Sequence, residues 1–387
     1  MYYCGIDIAK QSHCVSIVNE KGEIVKRGVQ ISNDRSGFET LASLLLPYRG
    51  QVEIGLEATG HYWLPLYDFL SHAEYSMVVI NPLQVKAFRK MDIRKRKTDR
   101  LDSVAIGEFM RFASPAHTQA DLPVIIQLRE LTRFRFHLVQ QMGDCKRKII
   151  SILDRVFPEY EDLFSDVFLA TSRQLLQQAV TAEEFADFNL SELQQLLETT
   201  SRHRFGREKA EQIKSVALQS VGVSFLTNAI HIEMRCLLQQ IELLDEQCAD
   251  VETEIKALMN SLPQYITSIP GVGWVTGAML LAEIGDIQRF PSPEKLVAYA
   301  GIDATVFKTG QFEGNEMHMS KRGSHYLRCA LWQAATASLL HNEEMKSYYD
   351  KKRAEGKVHG VALGAVCHKL LGRIYVVLKE QRAYVIH

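Results

Sequence analysis

Four carboxylates stand where the sequence passes from one element to the next. Asp7 ends the first apolar stretch, and Glu57 ends a later one. Asp99 and Asp102 lie in Lys97-Thr98-Asp99-Arg100-Leu101-Asp102, which continues as a helix through Ile106 and Phe109. Their i, i+3 spacing puts both on one helical face. Two strand-end acids facing a helix-borne pair can gather four carboxylates at one spot. Like charges that close repel and raise each other's pKa unless cations occupy the centre. Hard divalent ions such as Mg²⁺ take oxygen ligands, and two of them about 3.5–4 Å apart can clamp the attacking and leaving oxygens of a phosphoryl transfer. Any one of these acids alone reads equally as a solvated or capping side chain, so the argument rests on the set.

The elements that must position them form a mixed α/β pattern. Tyr2–Ala9, Val15–Asn19 and Ile24–Val29 read as a meander, the last two joined by Glu20-Lys21-Gly22-Glu23. Asp34 suits the N-cap of a helix running through Leu41 to Leu46. Strand Gln51–Glu57, helix Trp63–Ser71 and strand Ser76–Ile80 follow, stopped at Asn81-Pro82. Three strands followed by helix-strand-helix-strand is the ribonuclease-H-like order.

The chain has 387 residues, 46% apolar and 24% charged, the balance of a soluble globular protein with two or three domains. No apolar run approaches the roughly 20 residues of a membrane span, and Asp7 interrupts the only N-terminal apolar stretch, against a signal peptide. Seven cysteines form no CxxC pair and no zinc-spaced cluster, which predicts reduced, mostly buried thiols in a cytosolic protein. Net charge is −1, so a nucleic-acid partner must be met by local patches. One such patch is evident. Lys86, Arg89, Lys90, Arg94, Lys95, Arg96, Lys97 and Arg100 face only Asp92 and Asp99 in the same stretch. Cations this dense give salt-sensitive phosphate affinity without sequence readout.

Beyond the linker Ser114–Pro123, Val124, Leu128, Leu131, Arg135, Leu138, Met142, Cys145, Ile149, Ile152 and Val156 alternate steps of four and three. Ile230, Met234, Leu237, Ile241, Leu244, Cys248, Val251, Ile255, Leu258 and Leu262 do the same. A sustained 3.5-residue repeat is a coiled-coil seam. An antiparallel hairpin and a contact to a second protomer are compatible readings, with Arg135 fixing register or pairing across the interface. The intervening residues 157–224 read as a helical insertion with a basic stretch, Arg202, His203, Arg204, Arg207 and Lys209.

Near the C-terminus, Ile269-Pro270-Gly271-Val272-Gly273 opens a helix. Helix-hairpin-helix units use this arrangement, in which Gly271 and Gly273 permit unusual backbone angles and helix-start amides hold a phosphate; a tight packing turn reads equally well. Ser292–Tyr299 is expected as a helix and Phe307–Gly314 as a loop. Ser320-Lys321-Arg322-Gly323 then leads through Arg328 into an apolar helix, Cys329–Leu340, and the basic residues at its start suit a phosphate. Lys346, Lys351, Lys352, Arg353 and Lys357, then Lys369, Arg373, Lys379 and Arg382, read as a solvated basic face or as a further contact.

The segments Tyr3-Cys4-Gly5-Ile6-Asp7-Ile8-Ala9-Lys10, Leu56-Glu57-Ala58-Thr59-Gly60 and Lys97–Asp102 resemble the DEDD transposases of the insertion-sequence one-ten family. Those enzymes are relatives of the Piv-type DNA invertases, with an N-terminal domain like the RuvC Holliday-junction resolvase. The run from Pro270-Gly271-Val272-Gly273 through Ala300-Gly301-Ile302 to Ser320-Lys321-Arg322-Gly323 and Leu327-Arg328 resembles the family's C-terminal transposase domain. The two regions cover about half of the chain. The resemblance implies an RNase H-like (RuvC-like) catalytic domain over 1–115 and a long antiparallel coiled-coil domain over 123–262 with the insertion 157–224. A mainly helical transposase domain over 263–387 completes this α/β plus α architecture.

It further implies Asp7, Glu57, Asp99 and Asp102 as ligands of Mg²⁺ in a two-metal site, and DNA, both donor and target, as substrate. A structured non-coding (bridge) RNA as guide, a homo-oligomer (dimer or tetramer) tied by the coiled coil, and a cytoplasmic, nucleoid-associated location also follow from it. A hydroxyl would attack the phosphate and conserve bond energy in a 5′-phosphoryl–protein link. The family's nucleophile is the serine of a Ser-Gly dipeptide, where this chain has Thr309-Gly310. Threonine's branched carbon crowds the attack and restricts χ1, although its hydroxyl can still be activated. Three readings stay open: Thr309 attacks, Ser320 attacks, or strand cleavage is impaired. A hydrolytic structure-specific nuclease and a non-catalytic nucleic-acid-binding protein are the alternative functions.

Overall fold

The computed structural model describes residues 1–57, 60–80, 85, 86, 88, 98–113, 123–223, 225, 227–303, 308, 309, 312, 313, 319–321 and 323–385. They fall into two compact units, Met1–Asp121 and Leu122–His387.

The first unit is built on a five-stranded sheet of order β3-β2-β1-β4-β5. β1 is Tyr2–Asp7, β2 Ser12–Asn19, β3 Ile24–Ser32, β4 Val52–Glu57 and β5 Met77–Ile80. β1 pairs antiparallel with β2 and parallel with β4, which itself pairs parallel with β5. Gly22, at φ +84°, makes the turn between β2 and β3. Helix α1 (Arg35–Leu45) is capped as expected: Asp34 accepts a hydrogen bond from the Gly37 amide at 2.9 Å. With α2 (Leu64–His72) it buries Phe38, Leu41, Leu45, Leu66 and Leu70 against Cys4, Ile6, Ile54 and Leu56 of the sheet.

The opposite face belongs to α3 (Asp99–Ala113). Side chains alternate across a strand, and the central positions of β1 and β4 under α3, Gly5 and Gly55, are glycines. A Cβ on Gly5 would lie 2.1 Å from the Ser103 carbonyl and 2.4 Å from the Gly107 amide; one on Gly55 would lie 2.8 Å from Met110. The helix therefore rests on backbone. A chain of buried hydroxyls pins its register: the Ser16 and Ser103 hydroxyls are 2.7 Å apart, and the Gly28 amide of β3 donates to Ser16 at 2.9 Å.

The second unit is organised by two 34-residue helices, α4 (Pro123–Val156) and α9 (Thr227–Asn260). Cross-contacts Arg135–Glu252 (2.6 Å), Cys145–Gln240 (3.4 Å) and Arg155–Glu233 (3.9 Å) show that they run antiparallel. The polar seam residue Arg135 thus pairs with the facing helix of its own chain. Between α4 and α9 come α5 (Ala170–Gln178), α6 (Ala182–Asp187), α7 (Leu190–Ser201) and α8 (Arg207–Leu218). They share a core with Leu138–Val156 and Ile230–Cys248, centred on Phe157, Tyr160 and Phe185.

The remaining helices are α10 (Trp274–Ile284), α11 (Pro293–Ala300), α12 (His325–His341), α13 (Glu343–Ala354) and α14 (His359–Glu380). They form a second core that includes Ile125 and Leu128 of α4 and Ile255 and Met259 of α9. By length and composition α14 could cross a membrane, but its apolar face is this core, with Leu363, Val366, Leu370, Leu371 and Ile374 at 1% exposure or less. Two expectations differ in detail. A 3₁₀ turn, Ile266–Ser268, stands where the first helix of a helix-hairpin-helix would be, and the expected loop at 307–314 carries a short antiparallel pairing, β6 (Lys308–Thr309) with β7 (Phe312–Glu313).

All seven cysteines are free thiols, five of them buried. Burial pushes those of Cys4 and Cys367 up to about 12. The C-terminal basic stretch is largely self-neutralised by Lys346–Asp350, Lys352–Glu355 and the pairing of Lys369 and Arg373 with Glu344. Burial alone would raise the Glu344 carboxyl, but hydrogen bonds from Arg373, Tyr384 and Lys369 outweigh it and hold it at about 2.

A group whose folded pKa lies below its unfolded value contributes stability above the unfolded value and loses it as pH falls through the folded one. The Tm deficit of Glu344→Gln relative to the unmodified chain should therefore be full above the ordinary 4.5 and shrink toward about 2; a deficit constant with pH would contradict this. Gly5→Ala should destabilise by about 1–3 kcal/mol or more, since backbone rather than a flexible side chain must yield. An unchanged denaturant midpoint would show that α3 does not bear on β1 as described.

Candidate active site and nucleic-acid contacts

β1 and β4 run parallel with Ile6 opposite Leu56, so Asp7 and Glu57 are the next residues at one sheet edge. They share the strand parity of Gly5 and Gly55 and therefore leave the sheet on the face that α3 covers. The direction of α3 completes the arrangement. Gly107 lies over Tyr3 and Ser103 over Gly5, so the helix runs antiparallel to β1 and its first turn reaches the Asp7 edge. That turn carries Asp99 and Asp102 and is capped by Thr98, whose carbonyl accepts from the Asp102 amide at 2.9 Å and whose hydroxyl accepts from Leu101 at 3.4 Å.

Cys14, opposite Asp7 on β2, reports the crowding. Burial raises its thiol, the hydrogen bond with Ser103 lowers it, and the charges of Asp7 and Asp99 raise it further. Asp102 is 6% exposed, Asp7 and Glu57 are half-buried, and Asp99 is exposed. Asp7 and Glu57 thus end at one sheet edge, and the first turn of α3, with Asp99 and Asp102, runs toward it. Their oxygens suit a hard divalent cation. As placed, though, no three His, Cys, Asp or Glu side chains among the described residues form a group able to hold a metal ion. The donor chemistry fits such a cation; the convergence it requires is not present.

Of the predicted basic run, Lys86 is exposed, and Arg100 lies exposed on α3 with its stem over Gly28. Arg89, Lys90, Arg94, Lys95, Arg96 and Lys97 lie outside the described residues, as does Arg322.

In the second unit, Ser320 and Lys321 sit on a braced turn. The Ser320 amide donates to the Asp303 carbonyl at 2.9 Å and its hydroxyl donates to the Asp303 carboxylate; the Lys321 amide donates to Gly301 at 3.0 Å. Lys321 is exposed and holds φ +51°. A Cβ on Gly323 would strike the Tyr299 carbonyl at 1.7 Å, so only glycine fits there. Ser324 caps α12, accepting from Leu327 at 3.1 Å and donating to Glu283 at 2.7 Å. Glu283 is 2% exposed and takes a bidentate bond from Arg133 (2.7 and 3.1 Å), whose guanidinium lies over the Tyr326 ring at 4.8 Å.

Two other predicted contacts are engaged within the fold. Arg328 donates to the Ala300 carbonyl at 3.1 Å. Gly271, at φ +92°, packs against Ser338, where a Cβ would lie 2.6 Å from the backbone. Gly273 opens α10 with space around it, the arrangement in which helix-start amides stay accessible. Thr309 pairs through its backbone with Phe312. Sequence reasoning missed Ser16, Ser103, Asp303, Glu283 and Arg133, since a lone serine or acid carries no spacing signal. The glycines at 5 and 55, each two residues before a strand-end acid, were a usable one.

Two family models match this chain. A DEDD-type transposase model covers residues 4–158, and the model described as transposase IS116/IS110/IS902 family covers residues 263–350. The chain belongs to this transposase family. The IS117 mini-circle protein of Streptomyces coelicolor is 24% identical to it over 99% of this chain and 96% of its own length. The transposase for insertion sequence element IS1111A of Coxiella burnetii is 26% identical, over 98% and 90%. A pilin gene-inverting protein of Moraxella bovis is 21% identical, over 99% and 97%.

Removing one partner from a fully buried ion pair costs about 3–5 kcal/mol; Arg133 is 39% exposed while Glu283 is buried, so water screens part of the loss. Arg133→Ala should therefore destabilise the second unit by less than that, and Arg133→Ala with Glu283→Leu by less again. Equal losses in chemical denaturation would show that Glu283 does not depend on Arg133.

Proposed function

We propose that this chain is the recombinase of a mobile element, cutting and rejoining DNA by phosphoryl transfer through a covalent protein–DNA link. One observation carries this reading: in a member of a transposase family, Asp7 and Glu57 end adjacent parallel strands at the edge toward which the first turn of α3, with Asp99 and Asp102, runs. The strand order β3-β2-β1-β4-β5, with β2 alone running against the other four, supports an RNase H-like domain over 1–115. The antiparallel helix pair with its 3.5-residue repeat supports a coiled coil over 123–262, which we take as the tie between protomers of a dimer or tetramer. Residues 263–387 supply the third module.

In this reading Asp7, Glu57, Asp99 and Asp102 are the residues that would hold Mg²⁺, whose charge would polarise the scissile phosphate. Lys86, Arg100 and the neighbouring cations of the basic run hold the DNA backbone, joined by Gly273, Lys321 and Arg322 of the third module. Thr309 or Ser320 supplies the attacking oxygen. The hydrogen bond from Ser320 to the Asp303 carboxylate favours proton removal from Ser320, whereas Thr309 occupies the family's nucleophile position. Sequence choice is delegated to a structured RNA that base-pairs with donor and target DNA, leaving the protein to hold backbone and shape. The reaction takes place on cytoplasmic, nucleoid DNA.

Denaturing gels of the chain incubated with element-end DNA, co-purified RNA and Mg²⁺ test this. A protein–DNA adduct is expected. Asp7→Asn or Asp102→Asn should lower its rate at least about a hundredfold, because the lost stabilisation is several kcal/mol and each 1.4 kcal/mol is tenfold, while nucleic-acid binding persists. Loss of the adduct in Thr309→Ala or in Ser320→Ala identifies the attacking hydroxyl. Free DNA ends without adduct would mean hydrolysis and overturn the covalent reading.

A further inference from the structure

The basic stretch of the helical insertion plays no part in the chemistry proposed above, and its cations divide into two groups. Lys209 is consumed by the fold: it donates to the Leu163 carbonyl and to Gln212, and lies over the rings of Phe164 and Phe205. Arg207 is taken by Glu211 at 2.8 Å. Arg202, His203 and Arg204 are different. All three are exposed in the turn between α7 and α8, and among the described residues neither arginine is in an ion pair. The nearby acid Glu198 is engaged by Gln194 at 2.7 Å.

The turn is also held rigid in an unfavourable backbone form. Arg202 has φ +55° and His203 φ +61°, two consecutive left-handed residues where glycine or asparagine would be at ease. The His203 amide donates to the Glu198 carbonyl at 2.8 Å, Arg204 to Ser201 at 3.3 Å, and Phe205 to the Ser201 hydroxyl at 2.8 Å. Phe205 then anchors the turn edge-on to Phe164, with centroids 6.0 Å apart. Cations past a helix C-terminus also complement its dipole, but Arg204, which is not left-handed, would do that without a left-handed arginine at 202.

We propose that Arg202, His203 and Arg204 form a phosphodiester-binding site on the helical insertion, gripping the backbone of a nucleic-acid duplex. The two guanidiniums supply forked donors matched to phosphate oxygens, and the pinned turn presents them with the backbone already ordered. The site rests on the recombinase reading for its partner and adds a contact which that reading does not contain.

Fluorescence polarisation with the full chain tests it, using a DNA duplex and an RNA hairpin as separate probes across a salt series. Replacing both arginines by glutamine should weaken binding and make the slope of log affinity against log salt shallower by about one for each lost phosphate contact. Arg202→Lys with Arg204→Lys should keep the slope. Arg202→Gly separates function from folding: glycine accepts φ +55° freely, so Tm should hold or rise while affinity falls. A slope change on only one probe assigns the site to DNA or to RNA. An unchanged slope and affinity in the double glutamine variant, with the unmodified chain binding well, overturns this site alone. Failure of the unmodified chain to bind either probe overturns the recombinase reading with it.

Discussion

The close seat of α3 on β1 is the constraint from which the acid edge follows. Because Gly5 has no side chain, the Ser103 carbonyl and Gly107 amide come to where a Cβ would be. At that separation a helix can be neither shifted nor rotated without collision, and the hydroxyl pair Ser16–Ser103 removes what sliding freedom remains. Asp99 and Asp102 sit one turn or less before Ser103, so fixing Ser103 fixes them. The strands contribute the other half: parallel pairing brings the ends of β1 and β4 level, and strand parity sends Asp7 and Glu57 toward the helix. Backbone contacts, rather than carboxylate chemistry, set where these acids lie.

The second unit depends on a different device. Its long helix pair has no single core of its own; each half borrows partners, the insertion helices at one end and α10–α14 at the other. At the latter end the buried pair Arg133–Glu283 links α4 to α10 and, through Ser324, to the cap of α12. The Ser320–Gly323 turn is thus braced from the helix pair on one side and from Asp303, Gly301 and Tyr299 on the other.

Much of this was legible in the sequence because it is periodic or punctuated. The strands of the first unit, the Asp34 cap and both long helices follow from alternation, the 3.5-residue step and element ends. What stayed hidden depends on contacts between distant residues. That Gly271 is a packing glycine becomes evident only once Ser338 is beside it. That Arg328 serves a carbonyl, and that Lys346, Lys352, Lys369 and Arg373 are neutralised, depends on neighbours that a charge count does not show. The 308–313 pairing is too short for alternation to register. A carboxylate buried as deeply as Glu283 looks, in one dimension, like any surface acid.

The helix pair has a mechanical corollary. Each 34-residue helix extends roughly 50 Å at 1.5 Å per residue, with a packed knot of aromatic side chains at its distal end and the braced serine turn near its proximal one. Two antiparallel rods sharing a seam resist bending far better than either alone. The aromatic cluster and the Arg133–Glu283 pair are thus joined by one stiff element rather than by a chain of loops.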